Sequence, residues 1–130
     1  MIRLVHFSTV DGLKAIDPNY MGSGTGFGGR ELRQGIPDVR WMHFYREGSY
    51  YEPQVEKCGN KYIVEQDEVQ LYDLADDEEG IINLVVLNHQ GVYNRDIVLK
   101  AIKEAGFEGF YNSSGGLPGA IGLFIRKEVL

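Results

Sequence analysis

The chain has 130 residues, one Cys, three His and a formal net charge of −6, from 13 basic and 19 acidic side chains. That length bounds it to a single domain, residues 1–130, large enough to bury a core without staples. At 43% hydrophobic and 25% charged residues, it is neither disordered nor fibrous. The acidic balance argues against direct nucleic-acid binding, which depends on phosphate neutralisation. No apolar run approaches the roughly 20 residues of a membrane span, and the opening residues show no apolar signal core. Cys58 is alone, so no internal disulfide forms, and a reducing cytoplasm is the expected location.

Residues 2–7 read as a strand, with Ile2, Leu4 and Phe7 apolar. Residues 13–16 are one helical turn or an extended piece, ended by Asp17-Pro18 because proline restricts both its own φ and the preceding residue. A glycine-rich loop follows over residues 19–29, then a helical turn at 31–34. Residues 39–45, with Trp41, Phe44 and Tyr45, read as an aromatic strand partly buried on both faces. Residues 47–60 read as a loop, 61–65 as a strand and 69–72 as a short extended piece. The acidic stretch 73–79 reads as a solvated helix N-terminus, where carboxylates complement the helix dipole. It lacks the alternating oxygen ligands and turn glycine of a calcium loop.

Residues 81–87 are β-branched enough for a strand, but the acids before them and Gly91 after them favour a helix. Ile97, Val98, Ala101, Ile102 and Ala105 recur at three- and four-residue spacing, with Asn94 or Asp96 as cap and Gly106 as stop. Residues 107–111 and 120–125 read as strands around a second glycine loop at 112–119. Strands first, helices mid-chain and strands last make an α+β domain.

Glycine is over-represented: 17 of 130 residues, about 13% against a typical ~7%. Six lie between Gly22 and Gly35 and six between Gly106 and Gly122. Two such windows mean either a ligand loop or tight corners. Gly24-Thr25-Gly26-Phe27-Gly28-Gly29 satisfies G-x-G-x-x-G in form, but Asp17-Pro18 stands where the motif needs a strand, so a Rossmann unit is not expected. The three histidines are isolated, and with one Cys they offer no metal spacing. Read without a family in mind, His6 is a half-buried histidine bonded to backbone, His43 is structural within its strand and His89 is exposed. Tyr45, Tyr50 and Tyr51 are either core packing or a stacking platform for a heteroaromatic ring.

Taken in order, Leu4-Val5-His6-Phe7-Ser8, the segment 13–26 with Gly24-Thr25-Gly26, Met42-His43-Phe44-Tyr45, Val69-Gln70-Leu71-Tyr72-Asp73, the segment 101–111 and Ala120-Ile121-Gly122-Leu123-Phe124 resemble the ADP-ribosyltransferase superfamily. The similarity is to its His–Tyr–acid branch, in the short domains encoded by phages and mobile elements, and it spans nearly the whole chain. The resemblance implies a compact split β-sheet clamp with one or two helices, and NAD as substrate. His6, with Phe7 and Ser8 nearby, would hold the adenosine-side ribose. Gly24, Thr25 and Gly26 would let the backbone approach the dinucleotide, and Tyr45 would stack on nicotinamide. The implied chemistry is mono-ADP-ribosyl transfer through an oxocarbenium-like state, which a carboxylate stabilises. The implied target is a host protein or other macromolecule, in takeover or counter-defence within the host cytoplasm.

The third signature position departs from the pattern. Asn112-Ser113-Ser114 stands where an acid or Gln is expected, and Glu108, Glu52 and Glu65 are the substitutes to consider. Asn112 hydrogen-bonds but does not neutralise a cation. The alternative implied by that departure is an inactive protein of the same fold that binds a nucleotide or a basic protein partner.

Overall fold

The computed structural model describes residues 1–20, 39–49, 59–115 and 119–130. Gly24, Thr25, Gly26, Tyr50, Tyr51, Glu52 and Cys58, with all of the first glycine window and the helical turn expected at 31–34, lie outside the described residues. The domain is α+β, built on a mostly antiparallel sheet with two α-helices among the described residues, as the element order in the sequence implies. No helix among the described residues is long and apolar enough to cross a membrane.

Among the described residues there are eight strands: β1 (Ile2–Ser8), β2 (Ala15–Ile16), β3 (Met42–Arg46), β4 (Asn60–Gln66), β5 (Leu71–Asp73), β6 (Gly109–Tyr111), β7 (Ala120–Leu123) and β8 (Lys127–Glu128). Helices α1 (Ile81–Asn88) and α2 (Arg95–Glu104) lie between β5 and β6. The main sheet runs β4-β1-β3-β7-β6-β5, and β2 pairs with β8 in a small second sheet. Among the described strands only β5 and β6 pair in parallel. A parallel pair needs a long crossover, and α1 and α2 supply it.

The main strands fall where the apolar patterning puts them. The segment 81–87 is helical despite its β-branched content, because Ile81, Ile82 and Val85 form one helical stripe packed on the core. Asn94 caps α2 by accepting from the amides of Asp96 and Ile97, at 3.0 and 3.3 Å. Gly106 follows at φ 99, the left-handed backbone that ends a helix. β2 and β8 are two-residue strands with no periodicity to read. They exist because tertiary contacts bring them together: Val129 N–H donates to the Lys14 carbonyl and Leu130 N–H to the Ile63 carbonyl, both at 2.9 Å.

Each face of the main sheet has its own core, as strand alternation requires. On one face Leu4, Phe44, Tyr62, Val64, Ile121 and Leu123 pack with Ile16 of β2. On the other, Trp41, Tyr72 and Phe124 pack with Val98, Leu99 and Ile102 of α2. Two glycines of the second window serve this packing. A Cβ on Gly109 would lie 2.4 Å from the Gly122 carbonyl oxygen, and one on Gly122 would lie 2.4 Å from the Phe110 ring. These two are close-approach positions rather than ligand-loop positions.

The acidic stretch before α1 does cap a helix, from a distance. Gly80 at the N-cap has no side chain to offer. Asp77, at φ 46, reaches over it, and its carboxylate accepts from the Ile82 and Asn83 amides at 3.0 and 3.1 Å and from the Tyr72 hydroxyl. Burial pushes the Asp77 carboxyl up, but these donors outweigh it and hold its pKa below the usual value.

Candidate functional site

His6 is nearly buried, at 9% exposure, with its ring 5.3 Å from that of Phe44. Its Nδ1 lies 2.7 Å from the His43 carbonyl oxygen. A carbonyl only accepts, so Nδ1 carries the proton and the neutral ring presents a lone pair at Nε2. Burial lowers the His6 pKa, against the opposing pull of that hydrogen bond. This is the bland environment that a strand histidine suggests.

The β1–β3 ladder pairs only Leu4 with Arg46 and Val5 with Tyr45. Directly paired residues share a face, so Tyr45 projects with Val5, on the side away from His6. The two members of the expected His–Tyr pair therefore flank the sheet rather than meet. Phe7 and Ser8 are half-buried, and Ser8 Oγ accepts from the Val10 amide at 3.1 Å.

Neither carboxylate substitute on described residues joins His6. Glu108 Oε1 accepts from Nε2 of the fully buried Gln66 at 2.8 Å. Gln66 pairs with Ile2, whereas His6 pairs with Tyr62. The two positions are four residues apart along β1, roughly 13 Å at about 3.3 Å per residue. Glu65 is exposed and pairs with Arg3, on the face opposite His6.

Asn112 belongs to a different place. It stands at the rim of a cleft of about 440 Å³ on the helix-bearing face of the sheet. Trp41, His43, Phe110 and Leu74 form the walls, and Ala120 and Gly122 form part of the floor. Trp41 meets His43 edge-on at 4.6 Å and Phe110 edge-on at 5.3 Å, and the Arg95 guanidinium sits 5.9 Å above the Trp41 ring. The missing side chain at Gly122 is what lets Phe110 and Trp41 close on the strand.

The rim is held by its own hydrogen bonds. Asp73 accepts from the Ser113 amide at 3.0 Å and the Ser113 hydroxyl at 2.6 Å. Burial pushes the Asp73 carboxyl up, and these bonds, with those from the Ala75 and Asp76 amides, bring its pKa below the usual value. Asn112 Oδ1 accepts from the Ser114 amide and hydroxyl at 3.1 and 3.2 Å, a turn in which its Nδ2 takes no part. An apolar, aromatic-walled cleft with a few polar groups at its edge suits a flat organic ring.

Trp41, His43 and Phe110 are the site residues that sequence reading did not select. Each looks like ordinary core in the sequence. What marks them is their shared sheet face, visible only once His43 is paired with Gly122 and Gly122 with Phe110. Comparison of the chain with family models, with curated proteins and with solved structures finds no match.

Proposed function

We propose that this protein is a nucleotide-binding domain of the ADP-ribosyltransferase-like kind, holding the ring of NAD or a related nucleotide in the aromatic cleft without transferring ADP-ribose. The observation that carries this reading is the composition of the cleft. The rings of Trp41, His43, Phe110 and Tyr111 and the Asn112 amide line it, and none of its described lining residues is a carboxylate. Such walls stack a heteroaromatic ring, while an amide orients it but does not offset an oxocarbenium charge.

Titration calorimetry with NAD, adenosine and nicotinamide tests it. Heat of binding that falls at least about tenfold in affinity on His43→Ala or Asn112→Ala is the expected outcome. No heat at millimolar ligand overturns the reading.

One observation favours the transferase itself as a second reading. The β1–β3 ladder pairs only Leu4 with Arg46 and Val5 with Tyr45, and a side-chain bond from His6 to the His43 carbonyl takes over where it ends; so short a ladder supports a split-sheet clamp. On this reading NAD is the substrate and a host macromolecule the acceptor. Incubation with labelled NAD and lysate, with His6→Ala as control, separates the two. Nicotinamide release or a labelled band that His6→Ala abolishes supports the transferase, and neither signal supports binding alone.

A further inference from the structure

Helix α1 is apolar on both sides. Ile81, Ile82 and Val85 turn toward the core. Leu84 and Leu87, 59% and 66% exposed, point away from it, and Val92 and Tyr93 just beyond the helix are 62% and 54% exposed. At about 100° per residue, Leu84 and Leu87 lie within about 60° of each other, opposite the buried stripe. A helix of a lone domain normally turns a polar face outward, and one that is hydrophobic all round is a helix covered on both sides. Four large apolar side chains exposed within residues 84–93 mark a surface that is normally occupied.

The charges beside this surface select the occupant. Asp76, Glu78 and Glu79 are exposed in the turn that leads into α1. None of them takes part in an ion pair among the described residues. The far end of the helix offers Asn88, Gln90 and Asn94, and His89, whose Nδ1 is bonded to the Val85 carbonyl at 2.7 Å; the nearest cation, Arg95, is engaged 5.9 Å over the Trp41 ring and is followed by Asp96. A second copy of this chain would bring a net charge of −6 to meet another −6, and two such helix faces would oppose acids with neutral amides. An anionic lipid surface would meet the same repulsion.

We infer that the Leu84–Leu87–Val92–Tyr93 surface docks a basic amphipathic helix of a protein partner, its apolar stripe on the leucines and its Lys or Arg residues against Asp76, Glu78 and Glu79. This is the helix-on-apolar-face mode of peptide recognition, with charge fixing direction. It is separate from the cleft, and neither depends on the other.

A fluorescein-labelled amphipathic peptide, with Leu at i, i+3, i+4 and i+7 and Lys elsewhere, is the probe, and its twin with Glu in place of Lys is the control. Anisotropy titration is expected to show binding of the Lys peptide only. The double variant Leu84→Ser/Leu87→Ser should weaken it at least about tenfold. Glu78→Lys/Glu79→Lys should weaken it too, and rising salt should do the same. Both pairs are exposed, and circular dichroism checks that each variant is folded. Equal binding of the two peptides overturns the inference, as does unchanged binding by the leucine variant, which would mean nonspecific attraction to an acidic protein. Sedimentation that shows a dimer dissolved by Leu84→Ser/Leu87→Ser also overturns it, since the occupant would then be a second copy.

Discussion

His6 and His43 sit on neighbouring strands and are joined at 2.7 Å, from the His6 imidazole to the His43 backbone carbonyl, yet their rings serve opposite faces of the sheet. One ring packs on Phe44. The other lines the cleft beside Trp41. The bond is available because the β1–β3 ladder ends just before it, so the His43 carbonyl takes a side-chain donor where a ladder amide would otherwise stand.

This geometry makes His6 a pH-sensitive part of the fold. Its pKa lies below the usual 6.5, so the unfolded chain takes up a proton that the folded chain resists. Stability is complete above about pH 6.5 and declines as pH falls toward the folded pKa, with a slope of at most about 1.4 kcal/mol per pH unit for one proton. Denaturant titrations between neutral pH and pH 5 are expected to show this slope, and His6→Gln to remove it. NMR of the His6 ring should place its midpoint below 6.5; a midpoint above that value contradicts the buried, neutral imidazole.

A second acid-labile region lies around α1 and the cleft rim. Asp77 and Asp73 both have pKa values below the usual 3.8, because hydrogen-bond donors outweigh burial. A depressed carboxyl contributes stability that is present above its unfolded pKa and lost as pH falls through the folded one. The loss therefore begins below about pH 4, well separated from that of His6. Asp77→Ala should destabilise the protein by about 1 kcal/mol through loss of the cap, with added strain from Ala at φ 46. Asp77→Asn keeps an acceptor and tolerates that φ, so it should cost less. Urea denaturation at neutral pH ranks the three.

Gly109 and Gly122 should respond differently to the same substitution. The Cβ of Gly109→Ala meets the Gly122 carbonyl oxygen at 2.4 Å, and backbone within a sheet does not yield. Overpacking of this kind costs roughly 1–3 kcal/mol. Gly122→Ala meets the far end of the Phe110 side chain, which lines the cleft, rather than backbone. We expect Gly109→Ala to lower the melting temperature more, and Gly122→Ala to weaken nucleotide binding more. Scanning calorimetry and ligand titration on the same two variants measure both.

Removing Glu108 should act on stability and not on the cleft. Gln66 is fully buried, and Glu108 accepts one of its two Nε2 bonds, the other going to the Asp67 carbonyl at 3.1 Å. Glu108→Ala leaves that buried amide short of a partner, a loss of about 1–3 kcal/mol. NAD affinity should be unchanged. A loss of nicotinamide release without a loss of stability would instead give Glu108 a catalytic part.

Much of the framework was legible in the chain itself. The 3.6-residue recurrence from Ile97 to Ala105, with Asn94 before it and Gly106 after it, specifies α2 by local chemistry. The short apolar runs at residues 2–7 and 61–65 likewise mark β1 and β4. Local patterning reaches only as far as neighbouring residues, however. It left residues 13–16 open between a helical turn and an extended piece and did not reveal β8; β2 and β8 have two residues each and form because Ala15 and Ile16 are brought beside Lys127 and Glu128.

The site shows the same division. The order of His6, Tyr45 and Asn112 along the chain suggests one constellation, and sequence alone supports nothing finer. Strand register decides otherwise: a shift of one residue in pairing sends a side chain to the other face. Val5 opposite Tyr45 therefore separates His6 from Tyr45, while His43 opposite Gly122, and Gly122 opposite Phe110, assemble a cleft from residues that read as core. The sequence by itself determined the α+β class, the helices and the acidic character. Only the tertiary structure decided which side chains share a face, because register is set by contacts between strands far apart in the chain.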